Sequence, residues 1–113
     1  MLARANRVTR PIDFRTAVRR GRRIGTSAAV LHVLERPGSE PSRFGFIVAK
    51  SVGGAVTRNL VRRRLRAVSR DMLPTLQPGT DVVMRALPGS ELVAWPILQA
   101  EIAQGLERFR RAS

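Results

Sequence analysis

The chain has 113 residues, enough for one domain with a single modest core. Its 21 Lys and Arg against 8 Asp and Glu leave a formal charge of +13, a self-repelling balance that calls for a polyanionic partner. With 43% hydrophobic residues and no cysteine, the composition excludes wholesale disorder, disulfide frameworks, cysteine-type zinc sites and thiol catalysis.

Between Met1 and Arg23 there are eight Arg and one acid, Asp13. Pro11 suits a helix's first turn and Gly21 its stop, so a helix is predicted from Pro11 to Gly21. Its apolar positions Phe14, Ala17 and Val18 fall at i, i+3 and i+4, one narrow stripe to bury. Ala28 to Glu35 reads as a strand, Pro37 to Pro41 as a turn, and Arg43 to Lys50 as a returning strand, together a hairpin. Gly53-Gly54 then opens the longest helical pattern, Ala55 to Met72, ended by Pro74 and Pro78. Thr80 to Leu87 reads as a further strand stopped by Pro88-Gly89. A final amphipathic helix starts near Pro96, with Leu98, Ile102, Leu106 and Phe109 on its apolar face. The expected fold is one α+β domain spanning residues 1–113, ordered α-β-β-(β)-α-β-α, with room for one more short strand.

On the helix after Gly53-Gly54, Val61, Leu65, Val68 and Met72 share one narrow arc. Arg58, Asn59, Arg62, Arg63, Arg66 and Arg70 spread over another third of the circumference. Arg58, Arg62, Arg66 and Arg70 are successive i, i+4 neighbours with no Glu interleaved, an arrangement that costs an isolated helix a few tenths of a kcal/mol per pair. Guanidiniums repeating about every 6 Å along a helix match what a phosphate backbone requires, and Asn59 adds a neutral donor and acceptor. The four aliphatics are too narrow a stripe for a membrane-lying helix, and they are needed by the core. The basic N-terminus has no apolar stretch behind it, so neither a secretory signal nor a membrane span is expected, and the cytoplasm is the expected compartment. A helix-turn-helix DNA reader would need a partner helix a short turn away, where this chain has a strand and glycines.

The run from Phe44 to Arg66, FGFIVAKSVGGAVTRNLVRRRLR, resembles the signature of the bacterial ribonuclease P protein subunit. In that signature a strand ends in Lys, a Gly-x-Ala-Val turn follows, and a helix opens with Arg-Asn-Arg and continues with further basic residues. The resemblance extends to Asn6-Arg7, to the Asp13-Phe14 helix and to the order of the later elements. It implies an α/β sandwich with a left-handed β-α-β crossover around the Arg-rich helix. It also implies an accessory subunit of an endoribonuclease whose catalytic RNA removes 5′ leaders from precursor tRNA. The implied partners are ribonuclease P RNA and precursor tRNA; no membrane is expected, and no obligate protein partner is inferred. Carried over, Arg58, Asn59, Arg62, Arg63 and Arg66 face the RNA subunit. Arg7, Phe14, Val18, Phe46 and Lys50 line a cleft for the single-stranded leader. Read from composition alone, Phe14 and Phe46 are core residues, since the chain has only four Phe, one Trp and no Tyr.

Three positions depart from the pattern. Leu60 stands where the family has the second Arg of its Arg-Asn-Arg motif, and Arg64 one turn later is the one nearby substitute. Ser51 replaces the second residue of a common Lys-Lys pair, and Val18 sits where an aromatic is often found.

Nothing in the chain reads as a protein catalytic centre. His32, the only histidine, lies within an apolar strand and is expected to be buried with its hydrogen bonds satisfied by the sheet. The eight carboxylates are scattered, with Asp13, Asp71 and Asp81 at element ends where caps and turns use them. No catalytic residue, metal ligand or protein-bound cofactor is therefore assigned, and the resemblance implies that Mg²⁺ enters mainly through the RNA. A structural, ribosomal-type RNA-binding protein shares this composition; the Lys50 to Arg66 motif separates the two readings.

Overall fold

The computed structural model describes residues 2–112. Helix α1 (Pro11–Arg20) leads into β1 (Arg22–Gly25) and β2 (Ala29–Glu35). Strand β3 (Arg43–Ile47), helix α2 (Ala55–Met72), strand β4 (Thr80–Ala86) and helix α3 (Trp95–Ala112) follow. The strands form one mixed sheet in the order β1-β2-β4-β3. β1 and β2 are antiparallel, as are β2 and β4, whereas β3 and β4 run parallel and are connected across α2.

The expected hairpin between residues 28–35 and 43–50 does not form, because β4 lies between β2 and β3. Val82, Val83 and Met84 are buried on both faces of β4, and a strand of that kind needs a neighbour on each side. The true hairpin joins β1 to β2. At its turn the Thr26 N–H and hydroxyl both donate to Ala29 O, and Ala29 N–H donates back to Thr26 Oγ1. β3 also ends three residues early. Lys50–Val52 is a 3-10 turn, and Gly53 at φ 153°, a conformation L side chains rarely adopt, redirects the chain into α2.

Strand alternation divides the core. Ala29, Leu31 and Val33 of β2, Val82, Met84 and Ala86 of β4, Phe44 of β3 and Ile24 of β1 face one layer. That layer is Val61, Leu65 and Val68 of α2 with Leu98, Ile102 and Leu106 of α3. Gly105 is buried against Leu31 and Ile24, where a Cβ would stand 3.1–3.2 Å from their side chains, so α3 approaches the sheet closely. On the other face α1 packs with Ala17 and Phe14 against Val8, Val83 and Ile47. Gly45 makes room for the Phe14 ring, which lies 2.6 Å from where a Cβ would be.

A buried ion network fastens the α1 side of the sheet. Asp81, its side chain 3% exposed, accepts from Arg36 Nε at 2.8 Å and from Arg43 Nε and Nη2 at 2.9 and 2.6 Å. Arg43 also reaches Asp13 of α1 at 3.4 Å. Asp13 and Asp81 are thus bound to arginines instead of capping elements, and Asp71 is exposed. This ties the end of β2 and the starts of β3, β4 and α1 in one contact set.

Candidate nucleic-acid interface

Helix α2 turns Val61, Leu65, Val68 and Ser69 into the core, with Met72 packed at its end. The opposite side carries the predicted row. Asn59, Arg63 and Arg70 are exposed and Arg58, Arg62 and Arg66 half-buried. Asn59 Oδ1 accepts from Arg62 Nη1 at 3.0 Å, which orients that guanidinium. Among the described residues, every ion pair belongs to Arg36, Arg43, Arg110 or Arg111, so no carboxylate pairs with the α2 row. The buried Nε atoms of Arg58 and Arg66 have no acceptor either. The face is a concentrated, uncompensated positive field carried on a rigid helix.

Arg64 is not part of that field. Its Nη1 donates to Ser90 O and Glu91 O at 3.0 and 3.1 Å, and its Nη2 to Val93 O. Three carbonyls of the segment before α3 fix it as a clamp between α2 and α3, so it does not replace the arginine missing at Leu60. Spacing hinted at this, since Arg64 stands three residues from Val61 and four from Val68, at the edge of the buried arc.

The five expected cleft residues separate. Phe14 packs on the α1 side of the sheet, and Val18, 39% exposed, follows one turn later on the same helix. Arg7 is exposed at the free edge of β3, where it bridges Phe44 and the next residue's N–H donates to Phe44 O at 2.8 Å. Lys50 is exposed on the turn past the end of β3. Phe46 does not join them. Two residues from Phe44, it lies on the α2 face and packs against that core, across the sheet from Phe14. Ile47, not Phe46, packs beside Phe14, and two-residue alternation was the signal that could have found it.

Sequence reasoning also missed a cluster on this same face. Arg23 stands directly opposite His32 across the β1–β2 ladder, and Arg85 is its diagonal neighbour on β4. His32 is 3% exposed, but neither ring nitrogen has a partner, contrary to the expectation of a satisfied sheet histidine. Burial, and then the Arg85 and Arg23 guanidiniums, push its pKa below the ordinary histidine value. The folded chain therefore binds a proton at His32 less readily than the unfolded chain does. The stability this confers is present above the ordinary pKa and is lost as pH falls through it towards the folded value. Thermal melts at fixed salt between about pH 7 and pH 5 are expected to show a falling midpoint that His32→Gln flattens. An identical slope in the variant would contradict this.

Among the described residues no three His, Asp or Glu side chains come together as a metal-holding group, and no helix is long and apolar enough to cross a membrane. The arginine helix thus lies with α3 on one face of a mixed sheet and α1 lies on the other, a fold shared with known proteins. The family model described as Ribonuclease P matches residues 2–110. The ribonuclease P protein component of Clavibacter michiganensis is 56% identical over 111 residues, covering 98% of each chain. That of Streptomyces avermitilis is 48% identical, covering 95% of this chain and 90% of its own. The solved RNase P protein of Staphylococcus aureus superposes with a TM-score of 0.80 at 20% identity, covering 92% of this chain and 94% of its own. That of Thermotoga maritima gives 0.78 at 21% identity, covering 90% and 96%. The solved structures match the fold and the curated relatives match the sequence along nearly its whole length, so the chain belongs to the ribonuclease P protein family.

Proposed function

We propose that the protein binds the catalytic RNA of ribonuclease P through the arginine face of α2 and holds the 5′ leader of precursor tRNA along the α1 side of the sheet, promoting endonucleolytic 5′ maturation in the cytoplasm. The observation that carries this reading is the row Arg58, Arg62, Arg63, Arg66 and Arg70, without a carboxylate partner, in a chain of this family.

The physical role follows from charge. Two RNAs that must meet repel each other through their phosphates, and a protein of net charge +13 placed between them replaces part of their counterion atmosphere. Guanidiniums on a folded helix are oriented before binding, so less side-chain entropy is lost per contact. Among the described residues no carboxylate cluster is offered to Mg²⁺, and in this reading the ion is held mainly by the RNA, which performs the cleavage. The protein's part is to bind, orient and neutralise.

On the leader side Phe14 is largely committed to packing and Val18 offers an aliphatic surface where a ring would stack. Base–aromatic stacking contributes about 1–3 kcal/mol per base. Val18→Phe is therefore expected to tighten binding of a leader oligonucleotide by roughly fivefold or more in a fluorescence titration. Unchanged affinity would show that this position does not face the strand.

The direct test is a comparison of affinities, at one fixed salt concentration, for a bacterial ribonuclease P RNA and for a ribosomal RNA fragment of equal length. Preference for the first is expected; equal affinity, or preference for the second, would favour a structural RNA-binding protein.

A further inference from the structure

The packing between the last turns of α2 and α3 leaves a space. A cavity of about 370 Å³ lies there, at the low end of the volumes that hold small organic ligands. Met72 and Leu76 wall it from the end of α2 and the turn beyond, and Ala103, Leu106 and Phe109 wall it from α3. Met72, Leu76 and Phe109 are only partly covered by the core they pack on, so apolar surface is left for an occupant. The cavity stands on the face of the sheet away from α1, and on the side of α2 that carries its apolar arc. It belongs neither to the leader side nor to the arginine row.

Its rim is acidic, in a chain whose formal charge is +13. Glu35, the last residue of β2, lines the cavity, is exposed, and has no ion-pair partner among the described residues. Arg36 beside it is committed to Asp81, Glu40 and the Pro41 carbonyl. Arg110 is the one cation among the described lining residues, and it donates to Glu107, which also accepts from Arg111. The C-terminal end of α2, with its partial negative charge, points to the same place, and Asp71 in its last turn is exposed and makes no ion pair among the described residues. Over most of the surface arginines go unanswered; here it is a carboxylate.

We propose that this cavity is a binding site for a small organic cation: an apolar body the size of one ring or a short chain sits between Met72 and Phe109, and its ammonium or amidinium group donates to the Glu35 carboxylate. An anion with the same body is disfavoured twice, by Glu35 and by the end of α2. A ligand held there touches the end of β2 and the last turns of both helices, so it stabilises the folded chain by binding it in preference to the unfolded one. The site uses none of the arginines assigned to RNA and does not rest on the function proposed above.

The experiment is an NMR titration of the full chain, isotope-labelled at its methionine methyls, with phenylbutylamine, phenylbutanol and phenylbutyrate in turn, at constant ionic strength and about pH 7, where the amine and Glu35 are both ionised. Met72 stands in the cavity wall and reports on binding, and Met84, buried in β4, is the internal control. Saturable movement of the Met72 resonance by the amine is expected, with a dissociation constant on the order of a millimolar or below, while Met84 stays in place. The alcohol is expected to bind about fivefold more weakly and the carboxylate more weakly still. Glu35→Gln is expected to bring the amine down to the affinity of the alcohol and to leave the alcohol unchanged. Ala103→Leu, which fills part of the space, is expected to weaken both. Since Glu35 is exposed and makes no ion pair among the described residues, its variant folds and decides the matter even if the Ala103 variant does not. A Met72 resonance insensitive to all three compounds, a carboxylate bound as tightly as the amine, or an amine affinity unchanged in Glu35→Gln overturns the proposal.

Discussion

Replacing Arg62 and Arg66 together by Ala is expected to weaken binding to ribonuclease P RNA on the order of a hundredfold near physiological salt. Each hydrogen bond to a charged group contributes about 1.5–3 kcal/mol, and these two guanidiniums are half-exposed, so the lower end applies. The slope of log affinity against log salt should shrink by about 1.4–1.8, the value for two lost phosphate contacts. Folding should respond in the opposite direction. The pair stands in the i, i+4 series Arg58–Arg62–Arg66–Arg70, and removing both relieves like-charge repulsion of a few tenths of a kcal/mol per pair. A variant with weak RNA binding and an unchanged or raised thermal midpoint separates an interface from a structural role. Weak binding accompanied by a lowered midpoint would contradict the assignment.

The second large effect concerns the fold that presents this face. Asp81→Ala is expected to destabilise the protein by about 3–5 kcal/mol, because it strands Arg36 and Arg43, mostly buried, without their shared carboxylate. Against a total of about 5–15 kcal/mol for a domain, that brings the chain close to its unfolding limit. Urea denaturation of the two proteins measures the difference. A loss below about 1 kcal/mol would show that solvent replaces the carboxylate easily. Asp81→Asn should recover part of the loss, since the amide oxygen still accepts one bond.

What could be read in the sequence follows from the length scale of each signal. Helix α2 begins and ends where Gly53-Gly54 and Pro74 place it, because an apolar arc repeated over eighteen residues has few competing explanations. The cationic face followed from the same periodicity. Strand β1 escaped because Arg-Arg-Ile-Gly holds one apolar residue and shows no alternation. The order β1-β2-β4-β3 escaped because strand partners are chosen by tertiary burial, here by the need of Val82, Val83 and Met84 for neighbours on both sides. Phe46 is a different kind of miss. Its shared face with Phe44 was legible from alternation, and grouping it with Phe14 came from the resemblance, which carries positions without their orientation. The clamp at Arg64 and the unpartnered ring of His32 depend on groups 26–29 residues away and on two other strands, and no local pattern encodes them.

Across the whole molecule the division of labour is set by which arginines are answered. Arg36, Arg43 and Arg64 are bound by protein acceptors and hold the fold. The arginines of α2 that face away from the core have no carboxylate partner among the described residues, and it is these that the proposed function assigns to an external polyanion.

Single-turnover cleavage of a 5′-labelled precursor tRNA at low Mg²⁺ by a bacterial ribonuclease P RNA, with and without this protein at fixed salt, tests the central claim most directly. Restored cleavage at the mature 5′ end, lost when folded Arg62→Ala, Arg66→Ala protein is used, is the predicted result; absence of stimulation despite tight binding to the RNA would contradict it.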